Sequence, residues 1–161
     1  KRAKHITTTA KTDPLDYFHD EIGYNYRLVN VLAAIGVAQM ENFENILKRK
    51  KEIDALYRKE LKGVGDIKFQ EVNDAVNPNC WLFTFSTEIK HQVLAALKAD
   101  RIIARPFWTP MNQLPMFTSN AYISEQDHSK LVHEQCLSIP SSVNLTEDDL
   151  ARVVNVIKSC Y

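Results

Sequence analysis

The sequence predicts an α/β sandwich of modest size with one long leading helix. Apolar residues recur at three- and four-residue steps from about residue 30 to residue 61, which is typical of an amphipathic helix. Beyond Gly63, short stretches of strand character alternate with helical stretches, and this alternation favours a sheet covered by helices. The chain has 161 residues, of which 45% are apolar, and this is enough for one sizeable core.

The first part of the chain is expected to hold loop and short structure followed by the long helix. Residues 1–24 lack sustained periodicity and contain the turn signal Asp13-Pro14, so we expect them to need a partner surface. The first half of the helix is apolar or small on most faces, whereas residues 48–52 are charged and indicate a solvated face. Gly63 and Gly65 then end the helix.

The remaining elements follow from local patterns. They are a short strand at 66–70, a strand at 81–86, a helix at 88–99, a strand at 101–106, a loop to about 119, a helix at 125–133, a strand at 136–139 and a helix at 146–159. Val93, Leu94 and Leu97 are predicted to point inward. Thr146 is predicted to cap the last helix, with Asp149 as its capping-box partner.

Charge and cysteine content exclude several classes of protein. Twenty basic and twenty acidic residues balance to zero, which argues against a nucleic-acid or membrane-surface partner. The three cysteines fit neither a disulfide framework nor a zinc site, so we expect reduced thiols in a cytoplasmic protein. His128 and His133 are five residues apart rather than the four that place two ligands on one helix face, and no metal is expected.

The segment Gly23-Tyr24-Asn25-Tyr26-Arg27 precedes the long helix and indicates an anion site. Asparagine and arginine offer planar N–H donors, and arginine adds a fixed charge. An anion such as a phosphate is therefore expected near Asn25. Two other interpretations remain open: Asn25 can belong to an ordinary turn before a helix, and Arg27 can pair with Asp20 or Glu21 to hold the loop.

This segment resembles the G-x-N-x-R motif of the DegT/DnrJ/EryC1/StrS family of pyridoxal phosphate (PLP)-dependent sugar aminotransferases. Residues 5–11, 18–22, 104–111 and 136–141 resemble further parts of the same family, so the resemblance covers the chain from Lys1 to about Tyr161. It is most similar to the members that aminate a nucleotide-linked 4-keto-6-deoxy sugar, such as those of legionaminic acid or bacillosamine synthesis.

The resemblance implies the fold and the domain organisation. It implies the C-terminal small domain of a fold-type I PLP-dependent aminotransferase, with residues 1–27 as the tail of the large PLP-binding domain and residues 28–161 as the small domain. Lys1, Lys4 and Lys11 lack the serine-rich run expected before a Schiff-base lysine. The chain by itself is therefore expected to lack the catalytic lysine and to be inactive.

The resemblance also implies the roles of individual residues. Asn25 is expected to reach across the dimer interface to the PLP phosphate of the other subunit. The expected substrate contacts are Arg27, Tyr24, Arg105, Trp108 and His5. Lys11, which with His5 flanks Thr7–Thr9, is a further candidate, and an ordinary polar loop is the alternative for both. Arg105 would meet the diphosphate, and the aromatic face of Trp108 would meet the sugar or base. Packing alone is the alternative for the two tyrosines and for Phe107 and Trp108.

One departure from the family concerns the loop after Trp108. Many members place a histidine where this chain has Met111-Asn112. An asparagine forms hydrogen bonds but does not shuttle a proton near neutral pH, so any role of that histidine in sugar recognition does not transfer to this chain.

The predicted function is amino transfer, with glutamate as the expected donor, to a nucleotide-linked 4-keto-6-deoxy sugar for cell-surface polysaccharide or nonulosonic acid biosynthesis. A homodimer with a shared active site is expected, with dimer contacts through the apolar start of the long helix. Two alternatives stay open. The first is a non-catalytic binding or assembly module of the same fold, and the second is a PLP-dependent sugar dehydratase, which differs at the Schiff-base position.

Overall fold

A computed structural model describes residues 1–13 and 18–161, which form two compact units, Lys1–Phe43 and Glu44–Tyr161. Pro14, half of the predicted Asp13-Pro14 turn, lies outside the described residues. The two units of this structure meet after Phe43. The boundary expected after residue 27 is a different one, between the large and the small domain of the family's enzymes, and it stays a prediction.

The first unit contains two helices, α1 (Arg2–Thr7) and α2 (Asn30–Glu41). The described residues between them, 8–13 and 18–29, are irregular, as expected, and two isolated antiparallel bridges join Thr8 with Asn25 and Lys11 with His19. Helix α2 has no buried residue, although most of its side chains are apolar or small. The sequence did not indicate α1, because six residues are too few to show a helical period.

The long leading helix is a correction, since the structure has two helices where one was predicted. Helix α2 ends at Glu41 and α3 spans Phe43–Leu61, while Asn42 between them has φ −99° and ψ 6°. Asparagine favours turn and cap conformations over the helix interior. The apolar spacing continues across Asn42, so periodicity alone predicted no break.

The second unit is built on a four-stranded antiparallel sheet of order β1-β2-β4-β3. Its strands are β1 (Lys68–Phe69), β2 (Phe83–Ser86), β3 (Arg105–Pro106) and β4 (Cys136–Ile139). The helices of this unit are α3, α4 (Lys90–Ala99), α5 (His128–Gln135) and α6 (Glu147–Lys158), and short 3-10 turns lie at Met111–Gln113 and Pro115–Phe117. The α/β sandwich is thus confirmed.

The strand lengths differ from the prediction for a simple reason. β1, β2 and β3 are shorter than the patterns at 66–70, 81–86 and 101–106, whereas β4 has the predicted bounds. A strand extends only as far as its neighbours pair with it. The register joins Phe69 to Phe85 and Pro106 to Leu137, and the outer strands β1 and β3 each pair over two residues.

The core lies between one face of the sheet and helices α3, α4 and α6. Alternate strand residues point into it, as the period of two requires: Phe83 and Phe85 on β2 are buried, as are Leu137 and Ile139 on β4. The helices supply the other buried side chains, which are Ile53, Tyr57, Leu61, Val93, Leu97, Leu150, Val153, Val154 and Ile157. Of the three predicted inward residues of α4, Leu94 is only partly buried.

The charged run of α3 packs more closely than predicted. Lys50 Nζ donates to the carbonyl oxygens of Ser141 (2.6 Å) and Trp81 (2.9 Å). Arg49 donates to the Leu145 carbonyl at 2.7 Å. These two side chains therefore tie α3 to the loops that flank β2 and β4, and they are not a plain solvated face.

The last helix begins as predicted. The Thr146 hydroxyl accepts from the Asp149 backbone N–H at 3.1 Å, and the Asp149 carboxylate accepts from the Thr146 backbone N–H at 3.0 Å. Both halves of the capping box are present. No helix within residues 1–13 and 18–161 combines the length and the apolar character that a membrane crossing requires.

Candidate anion-binding site

The Gly23–Arg27 segment lies directly against a turn at Thr9 and Ala10. Both turn residues have left-handed backbone, with φ of 68° and 49°. The Thr9 N–H donates to the Tyr24 carbonyl at 3.0 Å. A Cβ atom at Gly23 would lie 2.4 Å from both the Thr9 carbonyl carbon and the Ala10 nitrogen. Position 23 therefore has to be glycine for the two segments to meet.

A cavity of about 300 Å³ opens where these segments meet, and its lining residues are Thr9, Lys11, His19, Asn25 and Arg27. The Asn25 side-chain oxygen accepts from the Arg27 backbone N–H at 3.4 Å. That contact is an Asx turn, as the second interpretation of Asn25 proposed, and it leaves the amide NH₂ as the free end of the side chain. The turn and the anion site are therefore compatible.

His19 was absent from the predicted site residues, and Lys11 was only a further candidate beside His5; the structure places both in the cavity lining. His19 Nδ1 lies 2.6 Å from the Thr9 carbonyl oxygen. Because a carbonyl only accepts hydrogen bonds, Nδ1 must be the protonated nitrogen in this contact. The sequence signal was weak, since Lys11 and His19 become neighbours only through their antiparallel bridge.

The lining fits a phosphate group. Asn25 offers a neutral amide donor, Lys11 and Arg27 offer cationic donors, and none of the five lining residues is acidic. The cofactor implied by the family resemblance, PLP, presents such a phosphate. The donor set of this cavity is therefore of the right chemistry for the role expected of Asn25.

His5 lies in the same unit but is not a lining residue of this cavity. Its Nε2 is 2.6 Å from Asp20 Oδ1 and 3.5 Å from Glu21 Oε1. Arg2 donates to both Glu21 carboxylate oxygens, at 2.6 and 2.8 Å. Asp20 and Glu21 are thus paired with His5 and Arg2. Among the described residues, Arg27 forms no ion pair with either carboxylate, contrary to the alternative interpretation of Arg27.

Tyr24 stacks on Tyr26, with ring centroids 5.5 Å apart and 13° between the ring planes. Both rings are exposed. Stacked exposed rings present a flat apolar surface with hydroxyl groups at its edge, which is compatible both with packing and with a substrate contact.

Arg105 and Trp108 belong to the second unit. Arg105 is exposed on β3, opposite Ser138 of β4. Trp108 is 63% exposed and lies 6.5 Å from Trp81 and 4.9 Å from Phe107, centroid to centroid. Trp81, which the sequence indicated only as part of a strand, is thus a neighbour of Trp108 in an exposed aromatic cluster.

The loop after Trp108 contains the two short 3-10 turns, Met111–Gln113 and Pro115–Phe117. Asn112, which stands near the position where many family members have a histidine, has a buried side-chain oxygen without a hydrogen-bond partner among the residues that the structure describes. A buried acceptor without a partner is uncommon in proteins.

Comparison with known proteins identifies relatives of the whole chain. The model of the DegT/DnrJ/EryC1/StrS aminotransferase family matches residues 3–158. A GDP-perosamine synthase of Vibrio cholerae is 32% identical over 90% of this chain and 41% of its own length. EpsN of Bacillus subtilis, provisionally named a pyridoxal phosphate-dependent aminotransferase, is 29% identical over 98% of this chain and 42% of its own.

Solved structures show the same fold. The sugar aminotransferase CalS13 of Micromonospora echinospora superimposes with a TM-score of 0.80 and 25% identity, covering 99% of this chain and 44% of CalS13. The chain thus spans about two fifths of the length of the proteins that it matches.

Proposed function

This chain belongs to the DegT/DnrJ/EryC1/StrS aminotransferase family, and we propose that it is the C-terminal part of a PLP-dependent sugar aminotransferase. The proposed reaction moves an amino group from glutamate to a nucleotide-linked 4-keto-6-deoxy sugar, for cell-surface polysaccharide or nonulosonic acid biosynthesis. The names of the relatives support this substrate class, since the Vibrio cholerae protein is a GDP-perosamine synthase.

The cavity around Asn25 is the observation that carries the proposal. Its five described lining residues are rich in hydrogen-bond donors and none of the five is acidic, which suits a phosphate. We propose that the Asn25 amide donates to the PLP phosphate bound by the partner subunit. A neutral amide binds a phosphate oxygen without needing a counter-charge of its own. No lysine of this chain is assigned the Schiff-base role.

PLP, when bound, supplies the electron sink for amino transfer. The residues of this chain position the substrate. Arg27 and Arg105 would bind its phosphates, because their planar guanidinium groups match phosphate oxygens. Trp108 and Tyr24 would present ring faces to the sugar or base. His5 is the remaining proposed contact. Its Nε2 is hydrogen-bonded to Asp20, so Nδ1 is the ring nitrogen that we propose for the substrate.

A homodimer with shared active sites is part of the proposal. Helix α2 has no buried residue, and its exposed apolar side chains are Val31, Leu32, Ile35, Val37 and Met40. An apolar surface of this kind is rarely left in water. We propose that a second copy covers it, which would bring Asn25 of one subunit to the cofactor of the other.

The proposal is tested on the complete gene product with the variants Asn25→Ala and Asn120→Ala. Asn120 is an exposed amide in a loop of the second unit and serves as the control. We expect a yellow protein that loses its visible absorbance on addition of glutamate and releases 2-oxoglutarate. Asn25→Ala should retain PLP about tenfold more weakly, since one hydrogen bond to a charged group is worth about 1.5 kcal/mol, and Asn120→Ala should match the wild type.

The alternatives give different results in the same experiment. A protein that never takes up PLP would be a binding or assembly module of the same fold. A protein that takes up PLP but eliminates water from the sugar, without producing 2-oxoglutarate from glutamate, would be a dehydratase.

A further inference from the structure

We propose that His133 is a positioning residue for the substrate. Its hydrogen bond to the Phe107 carbonyl holds Trp108 where the indole ring can stack on the nucleobase of the sugar nucleotide. The inference rests on the proposed function, because it deepens the role given there to Trp108. In the sequence, His133 stood out only by its spacing from His128, which argued against a metal site. The role proposed now acts through the backbone.

The first step is the contact between His133 and Phe107. His133 Nδ1 lies 2.8 Å from the Phe107 carbonyl oxygen. Because a carbonyl only accepts hydrogen bonds, Nδ1 carries the proton in this contact, both in the neutral Nδ1–H tautomer and in the protonated ring. The Phe107 N–H in turn donates to the Cys136 carbonyl at 3.1 Å. Both backbone polar groups of Phe107 therefore have partners, one on α5 and one on β4.

The Phe107 carbonyl determines the direction in which the chain continues to Trp108. The carbonyl oxygen of Phe107 and the Cα atom of Trp108 belong to one peptide unit, which is planar. A hydrogen bond that fixes the direction of this carbonyl therefore fixes the plane that carries Trp108. The following residues restrict the loop further, since Pro110 biases Thr109 towards extended backbone. His133 thus acts on the position of Trp108 through a single peptide plane.

His133 is itself anchored to neighbouring elements. It lies in the last turn of α5, which leads directly into β4. The buried Lys90, the first residue of α4, donates from Nζ to the His133 carbonyl oxygen. The Gln135 carbonyl, at the end of α5, accepts from the Thr87 N–H at 3.1 Å. The donor that holds the carbonyl before Trp108 is therefore fixed at both α4 and the sheet.

The Trp108 ring needs this support because packing holds it only in part. Trp108 is 63% exposed, and its ring neighbours are Phe107, at 4.9 Å, and Trp81, at 6.5 Å between centroids. Ordering an exposed side chain on binding costs conformational entropy, and holding it beforehand lowers that cost. Two neighbouring indoles also form a broad aromatic surface, and a flat nucleobase stacks on such rings through its face. The nucleobase is therefore the part of the substrate assigned to Trp108.

The test is isothermal titration of the complete gene product, with PLP added, using GDP, UDP, dTDP and inorganic pyrophosphate. Pyrophosphate has the two phosphates of a sugar nucleotide but no base, so it separates base stacking from phosphate binding. We expect the wild type to bind one of the three nucleotides more tightly than pyrophosphate. His133→Leu should weaken the binding of that nucleotide about tenfold and leave the affinity for pyrophosphate unchanged.

Two amide variants and a control refine the result. His133→Asn places an amide N–H close to the position of Nδ1 and should bind the nucleotide as the wild type does. His133→Gln carries the same amide one bond further from the backbone and should bind like His133→Leu. It keeps the test decisive if His133→Leu does not fold. His91→Leu makes the same exchange at an exposed position of α4 and should have no effect.

A double-mutant cycle measures whether His133 acts through Trp108. Trp108→Ala removes the ring and should itself weaken nucleotide binding. Adding His133→Leu to Trp108→Ala should cause no further loss, because two residues that act as one unit are not additive. A purely structural role of His133 would instead lower the melting temperature and leave the preference for the nucleotide over pyrophosphate unchanged.

Four results would overturn the inference. They are a wild type that binds none of the three nucleotides more tightly than pyrophosphate, an unchanged nucleotide affinity in His133→Leu and His133→Gln, an equal loss for pyrophosphate, and additive losses in the double mutant. The proposed function has a separate readout. A protein that takes up no PLP, or that keeps its visible absorbance when glutamate is added, contradicts the proposed function, and its nucleotide titration still tests His133.

Discussion

Gly23 shows how one residue can determine the shape of a site. The Thr9–Ala10 turn approaches so closely that a Cβ at position 23 would lie 2.4 Å from two of its backbone atoms. The obstacle is backbone, which cannot move aside as the end of a flexible side chain can. Ala10 itself is fully buried, so the turn has no room to retreat.

We therefore expect Gly23→Ala to separate the two segments and distort the cavity. In the complete gene product, PLP retention should fall at least as much as in Asn25→Ala, and the melting temperature should drop. The neighbouring variant Ile22→Ala is the control, because it truncates a side chain that is 84% exposed and adds no atom near the turn. Normal PLP retention in Gly23→Ala would contradict this account of the cavity.

Asp66 is the centre of a hydrogen-bond network in the second unit. Its carboxylate accepts from the Thr87 hydroxyl at 2.6 Å, from the Glu88 backbone N–H at 2.6 Å and from the Tyr161 hydroxyl at 3.0 Å. These hydrogen bonds favour the charged form of Asp66 and lower its pKa, and the bond from Thr87 has the largest effect. The network joins the end of α3, the start of α4 and the last residue of the chain.

The lowered pKa predicts a pH dependence of stability. The contribution of Asp66 is complete above the pKa of an unfolded aspartate, about 3.9, and is lost as the pH falls through the lower pKa of the folded protein. Asp66→Asn should reduce the free energy of unfolding at pH 7 by about 1 kcal/mol and make it less sensitive to acid. Urea unfolding at several pH values between 3 and 7 measures both effects.

Asp74→Asn is the matched control for this experiment, since Asp74 lies in an exposed turn. It should leave the stability and its acid dependence unchanged. If Asp66→Asn and Asp74→Asn behave alike, the network around Asp66 contributes nothing to folding.

At the scale of elements, α6 is the helix whose start is best defined. Three acidic residues occupy its first turn, where they interact favourably with the helix dipole. The Thr146 and Asp149 side chains each bond to the other's backbone N–H. The buried face of α6, which includes Leu150 and Val154, depends on the helix beginning at this position.

Thr146→Ala should therefore reduce the free energy of unfolding by about 1 kcal/mol, because it leaves a helix N–H group without its cap. Thr146→Ser keeps the hydroxyl and should remain within a few tenths of a kcal/mol of the wild type. Chemical denaturation measures the difference. Equal losses in the two variants would mean that the threonine methyl group, and not the cap, stabilises this end of the helix.

Helices α2 and α3 differ although one apolar pattern runs through both. On α3 the apolar residues Ile53, Tyr57 and Leu61 are buried and the other faces are polar. On α2 apolar or small residues occupy most faces and none is buried. A helix with apolar residues around most of its circumference needs partners on more than one side.

At the scale of the whole molecule, the exposed side chains of α2 predict the oligomeric state. Leu32→Glu should convert a dimeric gene product into a monomer, because a charge in an apolar interface loses its hydration without a partner. Light scattering after size-exclusion chromatography measures the mass. Leu32 is 57% exposed, so folding of this chain does not depend on its burial.

Leu131→Glu is the control, since Leu131 is 48% exposed on α5 and lies outside the proposed interface. It should leave the mass unchanged. A wild-type monomer, or a dimer that Leu32→Glu does not disrupt, would exclude α2 as the dimer contact.

Much of the fold was predictable from local patterns. The burial of Val93 and Leu97, the bounds of β4 and the cap at Thr146 all agree with the sequence analysis. They are set by residues close together in the chain, whose period or pairwise chemistry is visible in the sequence. The break at Asn42 and the short edge strands were not visible, because they depend on neighbours that periodicity does not report.

The sequence by itself determined the family and the α/β sandwich, since these follow from the order of residues along the chain, and it predicted an anion site in the segment from Gly23 to Arg27. Only the tertiary structure decided which residues surround Asn25. Lys11 and His19 reach the cavity through a bridge between separate segments, and His5 is held at Asp20 instead. A cavity is made by residues distant in sequence, and their meeting depends on backbone geometry such as the left-handed turn that Gly23 accommodates.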